Sequence, residues 1–297
     1  MGITKEPNGR YMLQGKRLNP SAAIAGQMSA RMKRIIRAMQ REVMEEIVRL
    51  FHVEHAQDSV EVRTAREIGV LPPPMVPAMD ASLADLAASL ITRMTDKWQP
   101  LFDREAQEIA ASMVDRTLAF SDRTLGPSLA EVGKSLTMTV DKPLSAMMDA
   151  AAQESVALIK RVPGQYLPNV QQDVMRSITT GNGLQDLVPQ LKARNVKVRN
   201  WAENVARDQT RKAYATINRE RMEAAGIRKF KWLHSGGSND PREYHLHAWP
   251  AGLNGGIFSF DDPPIIDKRT GERGFPGQAP YCGCTMLPVI DIDEDDQ

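Results

Sequence analysis

The sequence predicts an α+β protein: a predominantly helical N-terminal two-thirds with long amphipathic helices, then a small loop-rich β-containing C-terminal module. Three observations predict it. Apolar residues recur at three- and four-residue steps over much of residues 21–225. Aromatics make up only 5 % of the chain while 16 residues are Met, a balance that suits helix packing over an aromatic-rich β core. After Gly226 the pattern changes to short alternating runs separated by Gly, Pro and Asp.

Residues 1–20 are polar, with Gly, Pro and Asn, and are expected as a basic extended arm. From Ser21 to about His55 an apolar stripe (Ile24, Met28, Met32, Ile35, Ile36, Met39, Val43, Ile47, Leu50) predicts a helix, and Ser21 directly after Pro20 has the chemistry of an N-cap. Residues 56–80, polar and then rich in Pro, read as a linker. A second long helix is expected from Ser82 to about Arg123, with Pro100 as a kink or break and Gly126-Pro127 ending the segment. Separate helical stretches follow near 128–138, 143–161 and 166–180, then a turn at Gly181-Asn182-Gly183, then 184–194 and 199–225. The last carries a stripe of mostly small residues suited to close packing, and Gly226 stands where a C-terminal cap glycine belongs.

Beyond it, Ile227–His234 alternates Phe230 and Trp232 with Lys229 and Lys231 and reads as a half-buried strand. Short strands are expected again at Ile257–Phe260 and about Thr285–Ile290. The organisation read from the sequence is therefore an arm (1–20), a long-helix region (21–150), a helical lead-in (151–226), a small β-containing His/Cys module (227–290) and an acidic tail (291–297).

A chain of 297 residues that is 42 % hydrophobic and 25 % charged matches neither a disordered nor a membrane-embedded class. No apolar run approaches the length of a membrane span, and the N-terminus lacks the apolar stretch of a secretory signal, so a protein made and used in the cytoplasm is expected. Two cysteines one residue apart exclude a disulfide framework. The net charge of +1 hides an uneven distribution. Residues 1–41 hold nine Lys/Arg against one acid, Glu6. Arg10, Lys16, Arg17, Arg31, Lys33, Arg34 and Arg37 are therefore candidates for contact with DNA phosphates, or equally with an acidic protein surface.

The residue types that carry chemistry gather in the C-terminal module. His245 and His247 form His-x-His, and Cys282 and Cys284 form Cys-x-Cys. Imidazole and thiolate suit tetrahedral zinc, and a small module gains from a metal staple because its own core is small. The same residues also read as small buried strand-edge cysteines and loop histidines. Asp240, before Pro241, has the position of a turn-shaping side chain, or of a metal ligand or partner of Arg242. His52 and His55, one helical turn apart beside glutamates, read as a solvated face. The Gly-rich run 252–256 precedes no helix and lacks Lys-Ser/Thr, so it is not a phosphate cradle. Nucleophile elbows and His-Glu-x-x-His are absent from the sequence.

Taken in order, residues from about 155 to 290 resemble the phage head-morphogenesis family whose namesake is protein F of phage Mu. The resemblance rests on Val205-Ala206-Arg207-Asp208-Gln209-Thr210 in a helix, Trp232 near the end of a strand, Asp240 with Arg242, His247 with Gly252 five residues on, and Pro280-Tyr281-Cys282-Gly283-Cys284. The chain departs from the pattern near Gln209, where an acid is usual, at Tyr244, where a second Arg is common, and at Gly283, where a basic residue is common. The match of pattern favours His247 over His245 as a ligand. The resemblance implies a low-copy, non-enzymatic minor capsid component of a tailed phage. It would be carried in the virion, in the head interior or at the portal vertex, with portal, capsid or scaffolding protein and phage DNA as partners. The alternative is a metal-dependent hydrolase or nuclease-like module using Asp240, Arg242, His245 and His247.

Overall fold

The computed structural model describes residues 2–5, 11–57, 82–235 and 242–292. Its elements run β1 (Gly2–Lys5), β2 (Tyr11–Gln14), α1 (Ala22–Gln57), α2 (Leu83–Ala130), α3 (Lys142–Thr180), α4 (Gly183–Ala224), β3 (Lys229–Leu233), α5 (Glu243–Leu246), β4 (Ile257–Ser259), β5 (Ile265–Asp267), β6 (Glu272–Arg273) and β7 (Thr285–Ile292). The fold class is the one predicted, long helices first and a small antiparallel sheet after.

The helix starts follow from local chemistry. Ser21 Oγ accepts the amide N–H of Ile24 at 3.3 Å, the expected N-cap. Ser82 and Asp85 form a reciprocal capping box, each side chain accepting the other's backbone N–H at 3.2 and 3.1 Å. At the far end of α4, Gly226 takes a positive φ of 78° and Ile227 N–H donates to Met222 O at 2.9 Å, closing the helix where the sequence placed its cap.

The sequence expected more breaks than the chain has. The stretches 143–161 and 166–180 are one helix, α3, running through Pro163 and Pro168, and 184–194 and 199–225 are one helix, α4, through Pro189. Likewise α2 passes Pro100 and Pro127 and ends at Ala130 rather than near Arg123. An interior proline removes one helix hydrogen bond and costs roughly 3 kcal/mol. Around Pro163 and Pro168 the buried neighbours Val162, Tyr166, Leu167 and Val170 offset that cost by holding both sides of the proline to one apolar face. The linker expected at 56–80 falls almost wholly outside the described residues.

The chain forms two compact units. One comprises residues 30–107 and 156–202, and its described residues form four helical segments linked in a ring. Lys97 of α2 pairs with Glu42 of α1, Gln99 of α2 donates to Lys160 O of α3, Tyr166 OH of α3 donates to Asn195 Oδ1 of α4, and Arg199 of α4 donates to Gln40 of α1. The apolar stripes predicted from the sequence line its centre: Ile36, Met39, Val43 and Phe102 are essentially fully buried, and Leu187 of α4 is buried with them. Polar groups inside fix the register. Gln40, itself buried, donates to Asn195 O, so the Tyr166–Asn195–Gln40–Arg199 chain leaves few ways to slide one helix along another. Burial also raises the Tyr166 phenol above its ordinary range, which keeps it a neutral donor.

The other unit comprises residues 1–29, 108–155 and 203–297 and contains the sheet. Its strand order is β1-β2-β7-β3-β4, every neighbouring pair antiparallel, and β7 lies at the centre. Register places Trp232 opposite Met286 and Phe230 opposite Pro288 across β3 and β7, and Leu13 opposite Ile290 across β2 and β7. Alternation then sorts the faces. Phe230, Trp232 and Met286 pack with Leu125, Leu129, Tyr214 and Met222 of α2 and α4, while Met12, Leu287 and Val289 form a smaller cluster of their own. Phe230 stacks on Phe260 at 4.9 Å and lies 5.8 Å from Phe275, and its complete burial stabilises by roughly 2–3 kcal/mol.

The N-terminal segment expected as an arm is extended, but as strands β1 and β2 of this sheet; β2 supplies the main-chain partners that one edge of β7 needs. At the opposite terminus, Asp291 and Ile292 still belong to β7, where Asp291 pairs with Lys229, and the rest of the acidic tail lies outside the described residues.

Within the four-helix unit, Arg194 grips Asp173 through two hydrogen bonds of 2.7 and 2.9 Å, and the Asp173 side chain is only 5 % exposed. Asp173→Ala is expected to lower stability by about 2–4 kcal/mol in urea unfolding. Glu203→Ala, which removes an exposed pair with Arg207 (46 % and 50 % exposed), is expected to change it by less than about 1 kcal/mol. Equal effects would contradict the burial that distinguishes the two pairs.

Candidate metal centre

The chemically distinctive place in the sheet-containing unit lies where β3 ends, α5 turns and β7 begins. Cys282 and Cys284 sit just before β7, both buried and both free thiols. His245 comes from α5 and is 2 % exposed. Its Nδ1 is 3.6 Å from Cys282 Sγ and 3.8 Å from Cys284 Sγ. The ligand atoms of these three residues all lie within 4.8 Å of one another.

A fourth side chain, not singled out from the sequence, joins them. His234 stands one residue beyond β3, with its Nδ1 3.6 Å from Cys284 Sγ. Side chains two apart on a strand share a face, so His234 follows Trp232 inward. That period-2 relation to Trp232 is the sequence signal that could have identified it.

The surroundings orient each group. His245 Nε2 lies 2.9 Å from Ile266 O, a carbonyl that can only accept, so Nε2 carries the proton and bare Nδ1 faces the sulfurs. Trp232, fully buried, stands edge-on to the His245 ring at 5.2 Å and fixes its plane. The backbone of His234 is held on both sides: its N–H donates to Asn254 Oδ1 at 2.9 Å and its carbonyl accepts from Arg17 Nη2 at 2.9 Å. Arg17 Nε also donates to Thr285 Oγ1 at 3.2 Å, tying the N-terminal segment to the start of β7. Asp208 of α4 accepts the backbone N–H of Tyr281, whose φ of 57° marks the tight turn that presents the cysteines. Arg242 Nη2 donates to Pro280 O at 3.1 Å on the same turn.

Electrostatically the two thiols behave as one unit. A hydrogen bond from Cys284 holds Cys282 well below the ordinary thiol range, against the cost of burial; the amides of Cys284 and Gly277 act in the same direction. Cys284 is pushed up by the same partnership and by burial, so ionisation of one thiol opposes that of the other. Burial lowers the pKa of His234, which favours a neutral imidazole with a lone pair to offer. Two thiols and two imidazoles at these separations suit a soft or borderline transition-metal ion, or a hydrogen-bonded thiol–imidazole cluster.

The residues expected to meet here do so only in part. His245, Cys282 and Cys284 come together, whereas His247, favoured from the sequence pattern, is exposed at the end of α5. The reason is geometric. On a helix, residues two apart point about 200° apart, so a His-x-His pair there cannot supply two ligands to one site. Asp240 lies outside the described residues. Gly252, the partner of His247 in the motif, has a packing role. A Cβ on Gly252 would stand 2.6 Å from Tyr244 O and nearer still to His247 O, while Gly252 N–H donates to Ala248 O and Asn254 N–H to His247 O. The His247–Gly252 spacing thus closes a tight loop that carries α5. At Gly283, where a basic residue is common, a Cβ would meet Ser235 Oγ at 2.5 Å and Arg211 Nη1 at 3.3 Å, side-chain ends that can swing aside.

The basic candidates are dispersed. Arg10 lies outside the described residues. Lys16 pairs with Glu131 at 3.3 Å, Arg17 is tied to His234 and Thr285, and Arg31 pairs with Glu105 at 3.5 Å. Lys33 is half-buried on α1, while Arg34 and Arg37 are exposed there. Arg17, beside the sheet, is therefore used in holding the fold together.

Residues 168–287 match the family model described as Phage Mu protein F like protein. The resemblance read from the sequence holds over that segment. It contains all of α4, β3, the four His and Cys side chains and the start of β7. The chain is also similar, at 28 % identity over 214 residues, to an uncharacterized protein of Haemophilus influenzae (strain KW20 / Rd). That similarity covers 70 % of this chain and 45 % of the relative, so the chain spans less than half the length of the curated protein it matches. No solved structure matches the chain. At family level the match points to phage head morphogenesis. Among the described residues, no helix is long and apolar enough to cross a membrane.

Two substitutions separate packing from pattern. His245→Ala is expected to cost about 2–3 kcal/mol by leaving the thiols and Ile266 O without their partner, while His247→Ala, on an exposed ring, is expected to stay within about 0.5 kcal/mol. Chemical denaturation of the two variants checks this, and a larger loss for His247→Ala would refute the placement. Gly252→Ala is expected to cost about 1–3 kcal/mol, because the added methyl meets backbone that cannot swing aside; an unchanged unfolding midpoint would count against that loop.

Proposed function

We propose that this protein is a non-enzymatic minor head component of a tailed phage, joining the portal or the inner capsid during head assembly. The observation that carries the reading is the Phage Mu protein F-like match over residues 168–287. The geometry agrees with it. The motif residues Trp232, Arg242, Gly252, Cys282 and Cys284 are spent on packing, on loop closure and on a buried cluster, and Asp208, beside Gln209 in the helix, holds a turn. Residues shared for such reasons maintain a module's shape. The long helices of the four-helix unit offer charged outer faces for protein partners, and Arg34 and Arg37 on α1 are available to an acidic protein surface or to DNA phosphates.

The alternative of a metal-dependent hydrolase draws less support, because two of the residues it would use are apart in exposure: His245 is buried against the cysteines while His247 is exposed.

Particles and empty procapsids purified from the phage that carries this chain should contain it at low copy number by quantitative mass spectrometry. The purified protein should also be retained by the portal protein of the same phage. Its absence from both particle types, together with no retention by the portal, would overturn the reading.

A further inference from the structure

We propose that His234, His245, Cys282 and Cys284 form a four-ligand zinc site whose role is structural: it locks the end of β3, helix α5 and the start of β7 to one another. The inference stands on the geometry of this cluster and is independent of the head-protein reading.

The distances carry it. A tetrahedral zinc ion with Zn–S near 2.3 Å and Zn–N near 2.0–2.1 Å holds each N and S about 3.6 Å apart along an edge of the tetrahedron. The nitrogen–sulfur separations observed are 3.6 Å for His245–Cys282, 3.8 Å for His245–Cys284 and 3.6 Å for His234–Cys284. Three donors, His245 Nδ1 and the two sulfurs, are thus spaced as a tetrahedral ion requires, and His234 already reaches one of the sulfurs, so an inward shift of the His234 ring completes the sphere on binding.

The outer shell is of the kind that metal-binding histidines use. His245 donates its other ring N–H to the Ile266 carbonyl, which fixes the tautomer that leaves Nδ1 for the metal. His234 is clamped through its backbone by Asn254 and Arg17.

The coordination sphere decides the role. Two thiolates and two imidazoles fill all four positions, which leaves no open site for water or substrate, and three of the four ligands are almost completely buried. A closed Cys2His2 sphere supports folding, not turnover. The ion joins chain segments 50 residues apart, His234 to Cys284, within a module of short strands.

The test uses the full-length protein, purified under reducing conditions and analysed for metal by mass spectrometry. One zinc per chain is expected. Exchange for Co²⁺ should give the visible absorption of a tetrahedral ion with a sulfur-to-cobalt charge-transfer band. His234→Ala should weaken zinc by more than the roughly 100-fold that loss of an outer-shell partner costs, whereas His247→Ala should leave affinity unchanged. Because His234→Ala could disturb folding, His234→Cys serves as rescue: it should regain tetrahedral cobalt with a stronger charge-transfer band. Folded protein that binds no zinc or cobalt would overturn the proposal. So would full zinc affinity in His234→Ala, or loss of zinc in His247→Ala with retention in His234→Ala.

Discussion

Strand β7 is the element on which the sheet-containing unit depends. It is central, so both of its edges must find partners, and it finds them in segments from opposite ends of the chain: β2 on one side and β3 on the other. Backbone polar groups buried without partners are costly. The requirement therefore explains why the first strands join the sheet rather than trailing from it. It also explains the cluster: the start of β7 must pass close to the end of β3, and that brings Cys282 and Cys284 to His234. Trp232, opposite Met286 on the same pair of strands, supplies the apolar wall against which His245 is set.

The helical unit depends on a different constraint. Its segments are long and continuous, and their apolar stripes admit several registers if only apolar area is counted. The buried chain from Tyr166 through Asn195 and Gln40 to Arg199, with the Arg194–Asp173 grip, selects one of them. Polar groups there specify alignment while Ile36, Met39 and Phe102 provide the stabilisation.

Much of this was legible in the sequence, for identifiable reasons. Helix stripes, the Ser21 cap, the Gly226 stop and the alternation in β3 are local patterns, set by residues a few positions apart. Pro100 and Gly126-Pro127 were misleading because their cost is local while the packing that offsets it is not. The strand character of residues 2–5 and 11–14 was hidden for the same reason, since β2 forms opposite the distant β7 and β1 opposite β2. At the site, residue types pointed to Cys282, Cys284 and His245, but the choice of His247 came from a pattern whose physical content is loop closure with Gly252. His234 was missed because its neighbours in space, Cys284 and Arg17, are 50 and 217 residues away in sequence.

The pairing of β2 with β7 also sets an order in time. Residues 11–14 leave the ribosome early, yet their partners at 289–292 are made more than 270 residues later. Until then the nascent chain holds an unpaired strand, while the four helical segments of the other unit have all been synthesised and can already pack. The sheet is thus the late, high-contact-order step, and the waiting N-terminal strands are the segment most exposed to pairing with a neighbouring chain. The polar and basic residues at the end of the first strand, between the two and after the second, Lys5, Glu6, Arg10, Lys16 and Arg17, are the kind that discourage such pairing during that interval.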